Sequence, residues 1–241
     1  MLVEVCANSL ESALAAEKAG ADRIELCSEL GTGGITPSYG LLKAVKSHIS
    51  IPVHVLIRPR SGNFTYSQME FDIMKANIEL CHEMGFEGVV SGVLYKDFRL
   101  DVERTKALIA LAKPLKFTFH RAFDWVSDPL GTFQQLEALG VDYVLSSGQQ
   151  KSALAGIDLL TTLTKDAKSC TVLPGGGVRA DNANTFKNRG FKAIHFSGTT
   201  FKKSLERKPE ISMNSPSFLQ DDALAVTDAA IVRQIIEIVN N

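Results

Sequence analysis

The sequence predicts an α/β fold: a (βα)8 TIM-like barrel that forms a single domain over residues 1–241, with a long loop after the eighth strand. Short apolar runs alternate eight times with stretches of helical periodicity. The mean interval is about 27 residues, close to one βα unit, and such alternation is typical of a closed barrel. A doubly wound open sheet is the alternative, but its first strand is normally followed by a glycine-rich turn. Here Ala7-Asn8-Ser9 follows instead.

A recurring signature marks the joints between helices and strands. It consists of glycine, a small or apolar residue, a charged residue, any residue and an apolar residue, and it occurs at residues 20–24, 85–89, 140–144 and 190–194. Glycine tolerates the left-handed conformation that ends a helix. Each copy therefore indicates a helix end, a short loop and the start of a strand.

The elements follow from these joints in chain order. Strands are predicted at residues 2–7, 23–27, 52–57, 88–91, 116–119, 143–146, 171–174 and 193–196. Helices are predicted at residues 10–19, 38–47, 67–84, 102–112, 129–139, 154–168, 181–189 and 223–239. Residues 202–222 contain two prolines and several charges, so we expect a loop there. The loop would lie at the face where barrels build their sites, or it would be a disordered segment.

Composition narrows the range of partners. The 26 Lys and Arg residues nearly balance the 27 Asp and Glu residues, which argues against a nucleic-acid or anionic lipid surface. No apolar run approaches the ~18 residues of a membrane span, and no secretory signal is visible at the start. The cysteines Cys6, Cys27, Cys81 and Cys170 are widely spaced without a C-x-x-C motif, which predicts a reducing, cytoplasmic location. We therefore expect a small-molecule or ion ligand, with neither nucleic acid nor membrane as partner.

The strands carry an unusually polar second face. Because side chains alternate along a strand, one face packs under the helices and the other fills the barrel. The apolar face should meet the helices, so the interior set is predicted to be Glu4, Cys6, Glu25, Cys27, His54, Arg58, Thr118, His120, His195 and Ser197. Ionised side chains are rarely buried unless paired. This set therefore indicates a functional site, with a satisfied network that holds no ligand as the alternative.

Three strand ends carry residues suited to anions. Arg58 and Arg60 follow the third strand, and a guanidinium matches carboxylate and phosphate geometry. Gly175, Gly176 and Gly177 follow the seventh strand, and Ser197 and Gly198 follow the eighth, where barrels often bind phosphate through backbone N–H groups. The sequence therefore predicts an anion site, and a plain tight turn is the alternative for the glycines.

Two chemistries fit the interior residues. Glu4 and Glu25 fall on adjacent strands, so one pKa should rise unless a cation compensates. Either Glu4 or Glu25 would then be the catalytic proton carrier, with His120 as its partner. The alternative is an Arg–Glu network that braces the barrel.

Cys6 and Cys27 each follow one of these glutamates by two residues and could bind a soft ion such as Cu(I). Alternatively, they could form a disulfide or remain inert thiols.

Several runs in the sequence resemble the CutC family, named for cytoplasmic copper homeostasis. The matching runs are Glu-Val-Cys at 4–6, Gly-Ala-Asp-Arg-Ile-Glu-Leu-Cys at 20–27, residues 33–38, residues 57–64, residues 118–124 and Pro-Gly-Gly-Gly at 174–177. The resemblance implies a TIM-like barrel, a cytoplasmic location and a self-associated form, a homodimer or higher homo-oligomer. It also implies copper (Cu⁺) as the ligand, with Cys6 and Cys27 matching the cysteines proposed as metal ligands in the family. No organic cofactor is evident.

Two functions remain open from the sequence. The first, by resemblance, is a copper-homeostasis protein that binds Cu(I) through Cys6 and Cys27. The alternative is a barrel enzyme that performs acid–base chemistry on a small phosphorylated or carboxylated metabolite, using Glu4, Glu25, His120 and Arg58. A purely structural module is disfavoured, because polar side chains inside the barrel could not contact a partner at the protein surface.

Overall fold

A computed structural model describes residues 1–212 and 221–240 and contains eight parallel strands around a central axis. The barrel strands are β1 (Leu2–Ala7), β2 (Arg23–Leu26), β3 (Val53–Leu56), β4 (Gly88–Ser91), β5 (Lys116–Phe119), β6 (Tyr143–Ser146), β7 (Thr171–Pro174) and β8 (Ala193–Phe196). Their order is β7-β6-β5-β4-β3-β2-β1-β8, so the first and eighth strands are neighbours. A single parallel bridge between Gly175 and His195 links β7 to β8 and nearly closes the ring. The barrel prediction is confirmed.

The helices lie between the strands, as the alternating pattern predicts. They are α1 (Leu10–Lys18), α2 (Tyr39–His48), α3 (Gln68–Glu83), α4 (Val102–Ala112), α5 (Pro129–Leu139), α6 (Ile157–Asp166), α7 (Ala183–Asn188) and α8 (Ala229–Asn240). Short 3-10 turns occur at Leu30–Thr32 and Arg121–Trp125. None of the helices in the described ranges has the length and apolar character that a membrane crossing requires.

Local capping residues fix where helices begin and end. Ser67 accepts a hydrogen bond from the Glu70 backbone while the Glu70 carboxylate accepts one from Ser67, which forms a capping box at the start of α3. Asp128 caps α5, which has Pro129 in its first turn. Gly140 ends α5 with φ +86°, a conformation that costs glycine little. These positions set the helix lengths and thereby the points where the strands begin.

The main core lies between the strands and the helices. Alternate strand residues such as Val5, Ile24 and Val55 are fully buried there, so the predicted apolar face is the helix-covered one. The barrel interior also contains two small apolar clusters. They are Cys6, Cys27, Leu56 and Val90 on one side and Leu145, Leu173 and Ala193 on the other. Polar and apolar side chains therefore share the interior.

The region after β8 differs from the sequence prediction. Residues 223–227 were expected to begin the last helix, but Ala223–Thr227 forms a strand, β10, antiparallel to β9 (Thr199–Lys203). Asp228 then starts α8: its carboxylate accepts from Ala230 N and its carbonyl from Val232 N. An Ala-Leu-Ala-Val-Thr run suits helix or strand, and pairing with β9 decides between them. Of the predicted 202–222 loop, residues 202 and 203 instead belong to β9, and residues 213–220 lie outside the described residues.

Candidate functional site

A cavity of about 800 Å³ lies at the carboxyl ends of the barrel strands. Its lining includes Cys6, Glu25, Arg58, His120 and His195, five of the predicted interior residues, each contributed by a different strand or strand end. Its volume lies within the ~300–1,000 Å³ typical of small-molecule sites. This end of a barrel is where the loops build active sites.

Below the cavity, three buried side chains and one half-buried ring form a group that we call the inner ion-pair cluster: Glu4, Arg23, His54 and Tyr143. The strand register pairs Glu4 with Arg23, and Arg23 Nε donates to Glu4 Oε2 at 2.6 Å. The Arg23 guanidinium also lies 4.1 Å from the centre of the Tyr143 ring. Burial by itself raises the pKa of Glu4, but Arg23 and His195 outweigh it and bring the pKa to about 2. Glu4 is therefore an ionised partner of Arg23.

His54 fills the space beside this ion pair as a neutral ring. A Cβ at Gly88 would lie 2.4 Å from the His54 ring, so the ring occupies the place that a larger residue in β4 would need. The Tyr143 ring meets it edge-on, with ring centres 6.0 Å apart. Burial, together with the charge of Arg23, lowers the pKa of His54 to about 4. His54 therefore carries no charge at neutral pH.

Nearer the cavity lies a second group, the sulfur cluster, formed by Cys6, Cys27, Glu25 and His195. The Sγ atoms of Cys6 and Cys27 are 3.5 Å apart. The hydrogen bond with Cys27 and burial raise the pKa of the Cys6 thiol well above its usual value. Cys27 lies under Gly34 and is fully buried: a Cβ at Gly34 would lie 3.6 Å from the Cys27 sulfur. Both sulfurs are free thiols in this structure.

His195 connects the two groups. Its Nδ1 lies 2.7 Å from Glu4 Oε1, and its Nε2 lies 3.5 Å from Glu25 Oε2. Burial lowers the pKa of His195, but Glu25 and Glu4 outweigh it and the net pKa is raised. Burial raises the pKa of Glu25. One ligand atom each from Cys6, Glu25 and His195 lie within 4.8 Å of one another, so these residues form a set of potential metal ligands.

The structure changes how the two glutamates are understood. They do lie on adjacent strands, but the register places Glu4 opposite Arg23 and Glu25 opposite Cys6. Arg23, which sequence reasoning left out, is the cation that neutralises Glu4. The signal was present, because Arg23 lies two residues before Glu25 on the same face of the strand.

The two arginines predicted to hold an anion have different positions. Arg58 lines the cavity, and its guanidinium donates to the carbonyl oxygens of Thr32, Gly34 and Gly62 at 2.8 Å each. Arg58 therefore links the loop after β2, which covers Cys27, to the loop after β3. Arg60 does not line this cavity; its Nε lies 2.5 Å from Glu70. The structure does not bring Arg60 to the site.

Thr118 and His120 both project from β5 and are buried. Ala122 N donates to His120 Nδ1 at 3.2 Å, which leaves the ring proton on Nε2. Burial and the charge of Arg58 lower the pKa of His120 to about 3, so the ring is neutral. Within residues 1–212 and 221–240, neither His120 Nε2 nor Thr118 Oγ1 has a hydrogen-bond partner. His120 is therefore a neutral ring in the cavity wall, and its Nε2 is buried.

The glycines after β7 form the opposite wall. Gly176 and Gly177 line the cavity with φ of +97° and +75°, while Gly175 packs against Leu145 and His195. Ser197 and Gly198 line the cavity beside them. Sequence reasoning did not select Arg121, although it follows His120 directly; its guanidinium carbon would lie 3.3 Å from a Cβ at Gly176.

The fold and the site define a (βα)8-barrel protein with a thiol, imidazole and carboxylate cluster at the floor of a cavity. The sequence profile of the CutC family matches residues 1–200. The chain belongs to the CutC family.

Relatives and a solved structure agree with this assignment. A human protein described as a copper homeostasis protein cutC homolog is 43% identical, over 100% of this chain and 89% of its own length. A CutC family protein of Proteus mirabilis is 44% identical, over 89% of this chain and 87% of its own. The crystal structure of a CutC protein from Streptococcus agalactiae superposes with a TM-score of 0.78 at 33% identity, covering 82% of this chain and 98% of that one.

Proposed function

We propose that this CutC-family barrel acts in copper homeostasis by binding a Cu(I) ion at the sulfur cluster. The observation that carries the proposal is that the Cys6 thiol lies next to the Cys27 thiol and within ligand distance of an imidazole and a carboxylate. The sulfurs of Cys6 and Cys27 are 3.5 Å apart, and ligand atoms of Cys6, Glu25 and His195 lie within 4.8 Å of one another. The name of the human relative supports the same ligand.

The donor set fits a soft metal ion. Thiolates select Cu(I), and imidazole also suits copper. A linear arrangement of two sulfurs about a metal, with bonds of ~2.3 Å, would need them about 4.6 Å apart. The observed 3.5 Å therefore favours a bent pair of sulfurs completed by a third donor. His195 and Glu25, whose ligand atoms lie within 4.8 Å of that of Cys6, would supply that donor.

The surroundings of His195 resemble those of metal-binding histidines. Such residues normally use the second ring nitrogen to bond a carboxylate, which fixes the tautomer and orients the ring. Here Glu4, held ionised by Arg23, lies 2.7 Å from His195 Nδ1, so Nε2 faces Glu25 and remains available for an ion. The inner ion-pair cluster thus orients the third donor.

Access distinguishes the two cysteines. Cys6 lines the cavity, whereas Cys27 is fully buried beneath Gly34 and does not. An ion that enters through the cavity would therefore meet Cys6 first. Metal binding requires the thiol to lose its proton, so the raised pKa of Cys6 makes protons compete with the ion. We expect Cu(I) affinity to rise with pH.

The test is anaerobic titration of Cu(I) against a competing chelator, with the intact chain. We expect one ion per chain, lost in Cys6→Ser and weakened by about 10–100-fold in His195→Gln through loss of a donor and its orientation. Cys27→Ser should weaken binding less than Cys6→Ser, since Cys6 faces the cavity.

The matched control is Cys81→Ser, a fully buried thiol in α3 that lies outside the cavity. Its Cu(I) affinity should equal that of the wild type. Unchanged affinity in the double variant Cys6→Ser with Cys27→Ser would contradict the proposal, because all binding would then lie elsewhere.

The proposal includes a cellular setting and an assembly state. Four free thiols suit a reducing compartment, in keeping with a cytoplasmic location. The family resemblance supports a homodimer or higher homo-oligomer. Light scattering of the purified chain at several concentrations tests the second point, and a constant monomer mass would contradict it.

A second candidate function is favoured by the size of the cavity. An ion needs little of about 800 Å³, whereas a small anionic metabolite would use that volume. Glu25, whose pKa burial raises, would be the proton carrier, with the neutral ring of His120 in the cavity wall as its partner. Glu4 is less suited to that role because Arg23 and His195 hold it ionised. Of the two glutamates, Glu25 is therefore the one that we propose as proton carrier.

Mass spectrometry of the native protein, which detects retained metals and small molecules together, separates the two functions. A retained anionic metabolite that disappears in Glu25→Gln and His120→Gln but remains in Cys6→Ser would support the enzyme. Retained copper with no organic ligand would count against it.

A further inference from the structure

The lining of the cavity includes, besides the sulfur cluster, a set of apolar side chains that we call the apolar arm. The walls of this arm are Val178, Phe196, Phe201, Ala225, Ile231 and Ile235. They come from the loop after β7, the end of β8, the β9–β10 hairpin and α8. Ile235 and Phe196 are almost completely buried, so they are part of the packed structure and form preformed walls. Neither an ion nor a bare inorganic anion would use these walls.

Anion donors lie where the arm meets the central cavity. The Gly176 and Gly177 N–H groups have no hydrogen-bond acceptor within the described parts of the chain. Arg121 lies alongside them: its Nε donates to Asp124 and its Nη2 to Ser147, both within 2.9 Å. Its Nη1 remains on the glycine side, 3.4 Å from a Cβ position on Gly176. Successive backbone N–H groups and a guanidinium fork together suit a phosphoryl or carboxylate group.

We propose that this part of the cavity binds an anionic molecule with an apolar body, with its anionic group at Gly176, Gly177 and Arg121 and its apolar body in the arm. The arrangement explains why one cavity is lined by both charged donors and aliphatic and aromatic side chains. The inference deepens the second candidate function by naming its ligand class, and it is independent of Cu(I) binding.

The test compares three probes: phenyl phosphate, inorganic phosphate and phenol, titrated into the intact chain and followed by calorimetry and phosphorus NMR. Phenyl phosphate should bind about tenfold or more tightly than either fragment, because only it uses both the donors and the apolar walls. Equal affinities for phenyl phosphate and inorganic phosphate would overturn the proposal.

Variants assign each half of the site. Ala225→Phe fills the arm and should weaken phenyl phosphate about tenfold while leaving inorganic phosphate unchanged. Phe201→Ala, which removes a half-exposed ring, should also weaken phenyl phosphate binding. It serves as the test of the apolar walls if Ala225→Phe does not fold. Arg121→Gln should weaken both phosphates. Phe98→Ala and Arg99→Gln, exposed residues outside this cavity, are the matched controls.

The outcomes separate this inference from the proposed functions. Phenyl phosphate should bind the double variant Cys6→Ser with Cys27→Ser as it binds the wild type, whatever the result with copper. Binding that survives in Glu25→Gln while turnover of every phosphate ester tested is absent would remove the enzyme and keep the ligand site. Insensitivity to both Ala225→Phe and Arg121→Gln would place the probe elsewhere and overturn the inference.

Discussion

The inner ion-pair cluster and the sulfur cluster each contain one buried glutamate, Glu4 on β1 and Glu25 on β2, and they shift its pKa in opposite directions. Glu4 faces Arg23 across the strand register, and its pKa falls to about 2. Glu25 faces Cys6, which lies two residues after Glu4 on β1, and burial raises the pKa of Glu25. The same side chain is thus a fixed charge in one cluster and a titratable group in the other. Register, more than residue type, sets the chemistry.

The two clusters also give the fold opposite dependences on pH. Groups with a lowered pKa, such as Glu4 and His54, contribute stability that is lost as the pH falls. Groups with a raised pKa, such as Glu25 and His195, contribute stability that is lost as the pH rises. Variants of the inner ion-pair cluster should therefore change how stability falls as the pH decreases. Variants of the sulfur cluster should change how stability falls as the pH increases.

The largest expected effect comes from removing the cation of the inner ion-pair cluster. Arg23→Met leaves Glu4 buried without its main partner, so the free energy of unfolding should fall by about 3–5 kcal/mol. Urea denaturation at pH 7 measures the change. Arg99→Met, which removes an exposed partner of Asp97, is the control and should match the wild type. A loss below about 1 kcal/mol would mean that His195 alone compensates Glu4.

An intermediate effect is expected at His54, and it should depend on pH. The pKa of His54 is about 4 in the folded chain and about 6.5 in the unfolded chain, so acid favours unfolding between those values. His54→Phe should remove this contribution, which reaches about 3 kcal/mol at pH 4. Denaturation at pH 7, 5.5 and 4 measures the slope. An unchanged slope, or the same change in the exposed control His48→Phe, would contradict the assignment.

The smallest effect is expected in the sulfur cluster. Glu25→Gln removes a carboxyl whose pKa is raised in the folded chain. Such a group costs stability once the pH rises above ~4.3, the pKa that it has in the unfolded chain. The variant should therefore equal or exceed the wild type in stability at pH 7, by no more than about 1 kcal/mol. Urea denaturation at pH 4 and pH 7 gives the sign. A loss of stability as large as that of Arg23→Met would show that Glu25, like Glu4, is ionised and paired in the folded chain.

Much of the fold could be predicted because local signals repeat. Four glycine-containing joints and period-two strands established the barrel and assigned Glu4, Cys6, Glu25 and Cys27 to its interior. The strand at Ala223–Thr227 was missed because a short apolar run suits either helix or strand, and its partner lies about 20 residues earlier in the chain. Arg121 was passed over because its place beside Gly176, at another strand end, is set only by the tertiary fold.

By itself, the sequence determined which side chains enter the barrel, because alternation along a strand is a local property that needs no knowledge of neighbours. Only the tertiary structure decided their partners: that Arg23 neutralises Glu4, that Arg58 holds backbone carbonyls, and that Arg60 pairs with Glu70 away from the cavity. The reason is physical. The charge state of a buried group depends on distances of a few ångströms between strands, and register, loop closure and burial set those distances together.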